Sequence, residues 1–368
     1  MARIRQRPKS WDRFAHWAPG AAILTMLLVL ALLAASVLTG LAVERDVPVK
    51  ATPVTTEAPA ETGQRDTDLQ LYDSIIERVA DGENYYAVAV EEQRARDFPV
   101  RPAMAVRLPT LATVSAWATT PGMVFLAILL AIATLIAWWL RLRDEDGGPE
   151  HARFVLLLLV IGAATGFKLQ YLVLHDAWAG VLVALSLGLH RPGEKWLGAW
   201  ISAALALSVR ELALPFVLLM GTLALLRGHR GETIAWGVLM VVFALLFALH
   251  LSAVNALTEP QDRLSDSWLA LRGLAGATGN VVDSTSLHLL PLWLAAPLAV
   301  LPLLGWAGWR SATGLTGFLL CLGYGVFFMI AGRENNFYWA LLVTPVWFIG
   351  YAFVPRAVAS LWNSALGR

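Results

Sequence analysis

The chain has 368 residues, 57% of them hydrophobic and 15% charged, with a mean hydropathy of +0.60. Soluble domains carry about 45–50% apolar and about 25% charged residues, so a soluble globular protein is excluded. The formal net charge of +1, from 28 Lys and Arg against 27 Asp and Glu, with no arginine-rich face, excludes nucleic acid as a partner, and a single cysteine, Cys321, excludes a disulfide framework or a thiolate zinc site.

In chain order, residues 1–19 are basic, with Arg3, Arg5, Arg7, Lys9 and Arg13. The apolar run 20–43 that follows is longer than the roughly 7–15 residues of a signal-peptide core, and reads as a retained transmembrane helix. Residues 44–120 form one long loop. Its first part, 44–66, is rich in Thr, Pro, Ala and Glu, the composition of an extended spacer. Order resumes at Thr67, where Thr67 and Gln70 fit a capping box. Leu69, Tyr72, Ile75, Ile76 and Val79 then recur at helical spacing, and Asp81-Gly82 is a stop. A second helix is expected from Asn84, so 67–98 holds two amphipathic helices suited to lie along a membrane surface and roof a cavity. Asp68, at a helix N-terminus, is kept ionised by the helix dipole.

Residues 121–355 are expected to supply nine further spans. A bilayer core of about 30 Å needs roughly 20 apolar residues as helix, and 121–140, 233–254, 287–309, 311–332 and 337–354 supply such runs; 154–174 does so with Lys168 near its end. Short basic loops carry Arg141, Arg143 and Arg153, then Arg191 and Lys195, Arg227 and Arg230, and Arg310, and the tail 356–368 carries Arg356 and Arg368. The positive-inside rule places these loops and both termini in the cytoplasm and 44–120 outside. Between Lys195 and Arg227, a straight helix over 196–226 would be about 46 Å long, and both flanks are basic. A hairpin with Arg210-Glu211 at its tip and Pro215 beside it satisfies both facts. Its arms are only about 21–23 Å long, so the charged tip lies below the outer surface, where it must face protein or water. The stretch between Arg153 and Arg191 repeats the pattern with His175-Asp176 at its turn. The two shortened hairpins together imply a cavity open to the outside.

The loop residues Asp68/Tyr72, Gly82/Tyr85/Tyr86 and Arg107/Pro109 resemble the first periplasmic loop of bacterial membrane glycosyltransferases of the GT-C fold. The segments HDAWAGVLVALSLGL, SVRELALPF and GRENNFYWALLVTPVWFIG are similar to the same superfamily. The resemblance implies an all-α polytopic fold of about ten transmembrane helices in the bacterial cytoplasmic membrane. It also implies transfer of a sugar from a polyprenyl-phosphate donor to a glycan, lipid or protein hydroxyl at the outer face, usually with inversion. One carboxylate takes the acceptor proton; Asp68 is preferred for that role over Asp66. The leaving phosphate needs a cation, and the planar fork of arginine suits it. Arg210, with Glu211, is the first candidate, followed by Arg107 and Arg333. Tyr85, Tyr86, Asp176, Asn336, Tyr338 and Trp339 are the further candidates for binding sugar or lipid. The Asp66/Asp68 pair is the place for a divalent metal, should the reaction use one. Two other classes compete: a secondary transporter, against which stands the lack of a second copy of the long loop, and a non-catalytic binder of lipid-linked sugar with the same fold. A hydrolase or acyltransferase finds no Gly-x-Ser-x-Gly or His-Glu-x-x-His sequence here.

Overall fold

The computed structural model describes residues 11–46 and 67–368. Within them the regular structure is helical, with four isolated β-bridges. The α-helices are α1 (Pro19–Asp46), α2 (Thr67–Ala80), α3 (Tyr85–Ala95), α4 (Thr110–Asp144), α5 (Gly148–Ala163), α6 (His175–Leu189), α7 (Leu197–Val209), α8 (Leu214–Leu226), α9 (Arg230–Asn255), α10 (Gly273–Asp283), α11 (Leu292–Val300), α12 (Pro302–Gly308), α13 (Ala312–Ile330), α14 (Thr344–Trp347) and α15 (Val354–Ala365).

Four stretches are long and apolar enough to cross a membrane: Pro19–Arg45, Ala103–Asp144, Arg230–Asn255 and Ala312–Ile330. Asn335–Leu342 and Thr344–Ala365, bent by 58°, make a fifth if they are counted together. The chain is thus a helical membrane protein. Leu24, Leu27, Leu28 and Leu30 of α1, and Leu245, Leu246 and Leu249 of α9, are exposed, as expected of surfaces bathed in lipid. The long helix α4 turns at Thr119, whose φ is 60°, just before Pro121; the proline cannot continue the preceding turn.

Several of the expected spans are not straight helices. The run 154–174 stops at Ala163 and continues through turns and a short 3₁₀ segment, Leu169–Tyr171. The run 287–309 is cut into a 3₁₀ turn, α11 and α12, with Pro291, Pro297 and Pro302 along it. The run 337–354 becomes 3₁₀ turns around the one-turn α14. Protein, and not lipid, covers this irregular backbone, as open peptide groups in a membrane protein require: Leu342, Val343, Val346 and Ile349 are fully buried. It packs on α6, itself buried along most of its length among α4, α7 and the 3₁₀ segment Glu334–Leu342. The approach is close enough that a Cβ on Gly180 would overlap the Leu341 carbonyl oxygen; small residues at such crossings are how membrane helices come near one another.

Asp12 bonds Arg356 at 2.7 Å, and His190 meets Glu232 at 2.6 Å. Both pairs lie at the end of the molecule carrying the basic loops. The helices α2 and α3 cover the other end.

Candidate functional site

The two loop helices form where the spacing predicts. Asn84 caps α3, its Oδ1 accepting from the Tyr86 and Ala87 amides at 3.0 and 3.3 Å, and Gly82 takes φ 91° between the helices, a conformation glycine adopts without steric cost. Leu71 and Ile75 of α2 pack with Val88 and Val90 of α3 and Val254 of α9. Leu69 instead packs with Val173, Leu174 and Leu341. The helix α2 therefore bridges two apolar clusters and cannot tilt without opening one of them. A loop at 256–272 completes the cover. The Arg94 guanidinium holds the Asp262 carboxylate in a bidentate pair at 2.5 and 2.8 Å, and the Val100 and Arg101 amides both donate to the Arg263 carbonyl at 3.2 Å.

Beneath this cover lies a cavity of about 360 Å³. Asp68, Tyr72, Tyr85 and Arg107 line one side, and Asp266, Trp268, Arg333, Asn336, Tyr338 and Trp339 line the other. Asp68 is partly exposed at this wall. The Arg107 guanidinium donates to the hydroxyls of Tyr72 and Tyr338 at 3.2 and 3.3 Å, and the Tyr85 hydroxyl donates to the Arg107 carbonyl at 2.7 Å. Burial pushes the Tyr85 phenol well above the usual tyrosine range, so it stays a neutral donor. Asn336 accepts from the Arg333 amide at 3.0 Å and donates to the Tyr338 hydroxyl at 3.3 Å. Arg333 stands 3.6 Å from Asp266, and its buried Nε has no hydrogen-bond partner among the described residues.

Next to the cavity, and not on its wall, is a buried ion cluster. The chain breaks at Arg210 (φ −146°, ψ 115°) between α7 and the 3₁₀ turn Glu211–Ala213, and Pro215 sits in the first turn of α8. Arg210 is fully buried. Its Nε donates to Asp176 Oδ1 at 2.8 Å, from the first turn of α6, and its Nη1 donates to Glu211 Oε1. Glu211 also faces Arg107, with Nη1 3.7 Å from Oε1. Two guanidiniums thus oppose two carboxylates, the pairing a buried charge requires. The Trp339 ring lies 6.0 Å from the Arg210 guanidinium, and Arg210 Nη2 has no partner among the described residues.

Most of the sequence candidates therefore meet. Asp68, Tyr85, Arg107, Arg333, Asn336, Tyr338 and Trp339 share one cavity, and Asp176, Arg210 and Glu211 lie against it through Arg107. Tyr86 stands apart: it does not line the cavity, and its ring packs on His250 at 5.6 Å. Of the expected spacer at 44–66, residues 44–46 instead continue α1, and the rest, with Asp66, lies outside the described residues. Among the described residues no group of three or more His, Cys, Asp or Glu is placed to hold a metal ion. Sequence reasoning missed the loop 256–272, which supplies Asp266 and Trp268 to the wall. The signal available was its composition: EPQDRLSDSW is polar, carries three acids, and interrupts an otherwise apolar stretch of chain. Comparison with known proteins yields no matching family model, no matching curated protein and no matching solved structure.

Proposed function

We propose that the chain is a membrane glycosyltransferase of the GT-C type, moving a sugar from a polyprenyl-phosphate donor to an acceptor hydroxyl at the outer face of a bacterial cytoplasmic membrane. In this reading ten spans cross the bilayer, both termini are cytoplasmic, and the helices of 13 residues each in the α7–α8 hairpin, about 20 Å long, leave the charged tip recessed from the outer surface. The observation that carries the reading is the shared wall: Asp68, Arg107 and Arg333 are among the three carboxylates and four arginines that line one cavity, with the Asp176–Arg210–Glu211 cluster against it.

The reaction needs these groups in these roles. Asp68 takes the proton of the acceptor hydroxyl as its oxygen bonds the anomeric carbon. The bond from that carbon to the phosphate oxygen breaks, and the lipid phosphate leaves with its electron pair. That leaving group is a weak base and needs no proton, only a cation. Arg107 and Arg333, on the wall, are better placed to touch it than Arg210, whose Nε and Nη1 are engaged by carboxylates. Arg210 then acts as a positioning residue, setting Glu211 and through it Arg107.

The test is a turnover and binding assay on purified protein with polyprenyl-phosphate sugars. Asp68→Asn is expected to lower turnover by roughly 10²–10⁴-fold with donor affinity retained, and Arg107→Ala to weaken donor binding. Turnover that survives Asp68→Asn but falls in Asp66→Asn moves the base to Asp66. Donor binding without turnover in the native protein makes the chain a lipid-linked-sugar binder. Absence of both defeats the proposal.

A further inference from the structure

Apart from the polar cavity, α1, α11, α12 and α13 leave a groove of about 440 Å³ between them. It shares no residue with the polar cavity. Its lining is apolar except for Thr25 and, at one end, Arg13. A second apolar cavity of about 110 Å³ shares Leu32, Val300, Leu303 and Leu322 with it. The track along α13 therefore runs from Leu315 through Phe318 and Leu322 to Val326 and Met329, spacings of three and four that keep to one helix face. At 1.5 Å per residue it is about 21 Å long, the reach of a single extended hydrocarbon chain and longer than half of a bilayer core of about 30 Å.

The mouth of the groove carries a cation, Arg13, on its wall. The Arg13 Nη2 donates to the Trp309 carbonyl at 3.3 Å, and its buried Nε has no hydrogen-bond partner among the described residues. The Arg310 amide donates to the Trp11 carbonyl at 2.7 Å and the Arg13 amide to the Gly308 carbonyl at 3.0 Å, which sets Arg310 beside this mouth; burial, and then the charge of Arg310, lower the Arg13 pKa. The adjacent acid, Asp12, accepts from Arg356 on Oδ2 at 2.7 Å, and its buried Oδ1 has no hydrogen-bond partner among the described residues. Trp17 lines the groove beside Arg13, where an amphipathic ring suits the boundary between headgroups and hydrocarbon. An apolar track between two membrane-capable helices, with Arg13 on its wall at one end and Arg310 beside that end without lining it, matches one occupant: a molecule with a hydrocarbon chain and an anionic head.

We propose that this groove is an anionic phospholipid site, holding one acyl chain along α13 with the lipid phosphate on Arg13 and Arg310. The test is native mass spectrometry of the full chain released from bilayers of mixed dioleoyl-phosphatidylglycerol and dioleoyl-phosphatidylcholine. One phosphatidylglycerol is expected to be retained in preference to phosphatidylcholine. Arg13→Gln is expected to weaken phosphatidylglycerol retention about fivefold, the effect of removing one cation near an anionic headgroup, and to leave phosphatidylcholine unchanged. Thr25→Phe, which fills the groove without altering charge, is expected to reduce retention as well. Arg310→Gln alters an exposed residue and serves as the second charge variant should Arg13→Gln fail to fold. Equal retention of the two lipids by the native protein, indifference to both charge variants, or full displacement of the lipid by glycerol phosphate, which has no chain, would each overturn the proposal.

Discussion

Arg210 is the residue at which sequence and structure differ most instructively. Its short hairpin arms announce a charge that must be satisfied by protein, and the structure satisfies it with Asp176 at 2.8 Å and with Glu211. Asp176 comes from α6, 34 residues away in the chain, and no local pattern pairs the two. Removing the guanidinium leaves Asp176, itself almost fully buried, with an uncompensated charge. Arg210→Ala is therefore expected to cost about 3–5 kcal/mol of stability, the usual penalty for breaking a buried pair from one side. The double variant Arg210→Ala/Asp176→Asn is expected to regain part of that loss in a melting experiment. A donor titration on the same proteins separates the roles. Lower affinity in Arg210→Lys, with folding retained, indicates that the planar fork matters to the phosphate site. Unchanged affinity in Arg210→Ala, with stability recovered in the double variant, makes the cluster purely structural and leaves the phosphate to Arg107 or Arg333.

Among the elements, the cover of the cavity depends on a side-chain clasp. The Arg94 guanidinium holds the Asp262 carboxyl down at about 2, below the roughly 3.9 of an unperturbed aspartate. Because the folded value is the lower one, the clasp contributes stability in full above about pH 4 and loses it as the pH falls toward 2. Hydrogen exchange at the Val100 and Arg101 amides, which donate to Arg263 next to the clasp, is expected to show protection relative to the unfolded chain that declines over this interval. Arg94→Gln is expected to lower that protection at pH 7 and to flatten its pH dependence. Protection unaffected by either acid or Arg94→Gln would show that the backbone bonds alone hold the loop. The helices α2 and α3 were legible in advance because capping and a period of 3.6 residues are local. The loop 256–272 was not, because it is ordered by contacts with α3 more than 160 residues away in the chain.

For the whole molecule, the alternation of basic loops predicts that the turn between α2 and α3 and the loop between α6 and α7 lie on opposite sides of the membrane. The native chain is suited to labelling because Cys321 is buried. In intact cells, a membrane-impermeant thiol reagent is expected to modify Asp81→Cys and to spare Lys195→Cys until the cells are permeabilised. The reverse pattern would invert the orientation and put the polar cavity on the cytoplasmic side.

The amino-acid sequence by itself determined the membrane character, the two loop helices, the break at Arg210 and the end of the molecule at which polar groups gather. Each is a matter of composition, local periodicity or helix length, and each needs only nearby residues. The tertiary structure decided which polar groups meet: Asp176 with Arg210, Arg107 with Tyr72, Tyr338 and Glu211, and Arg94 with Asp262. It also decided that 287–309 and 337–354 are broken and not straight. Apolar composition is the same in a lipid-facing helix and in a buried irregular segment. Only the surrounding helices can shield open backbone from lipid, and their placement rests on contacts between residues far apart in the chain.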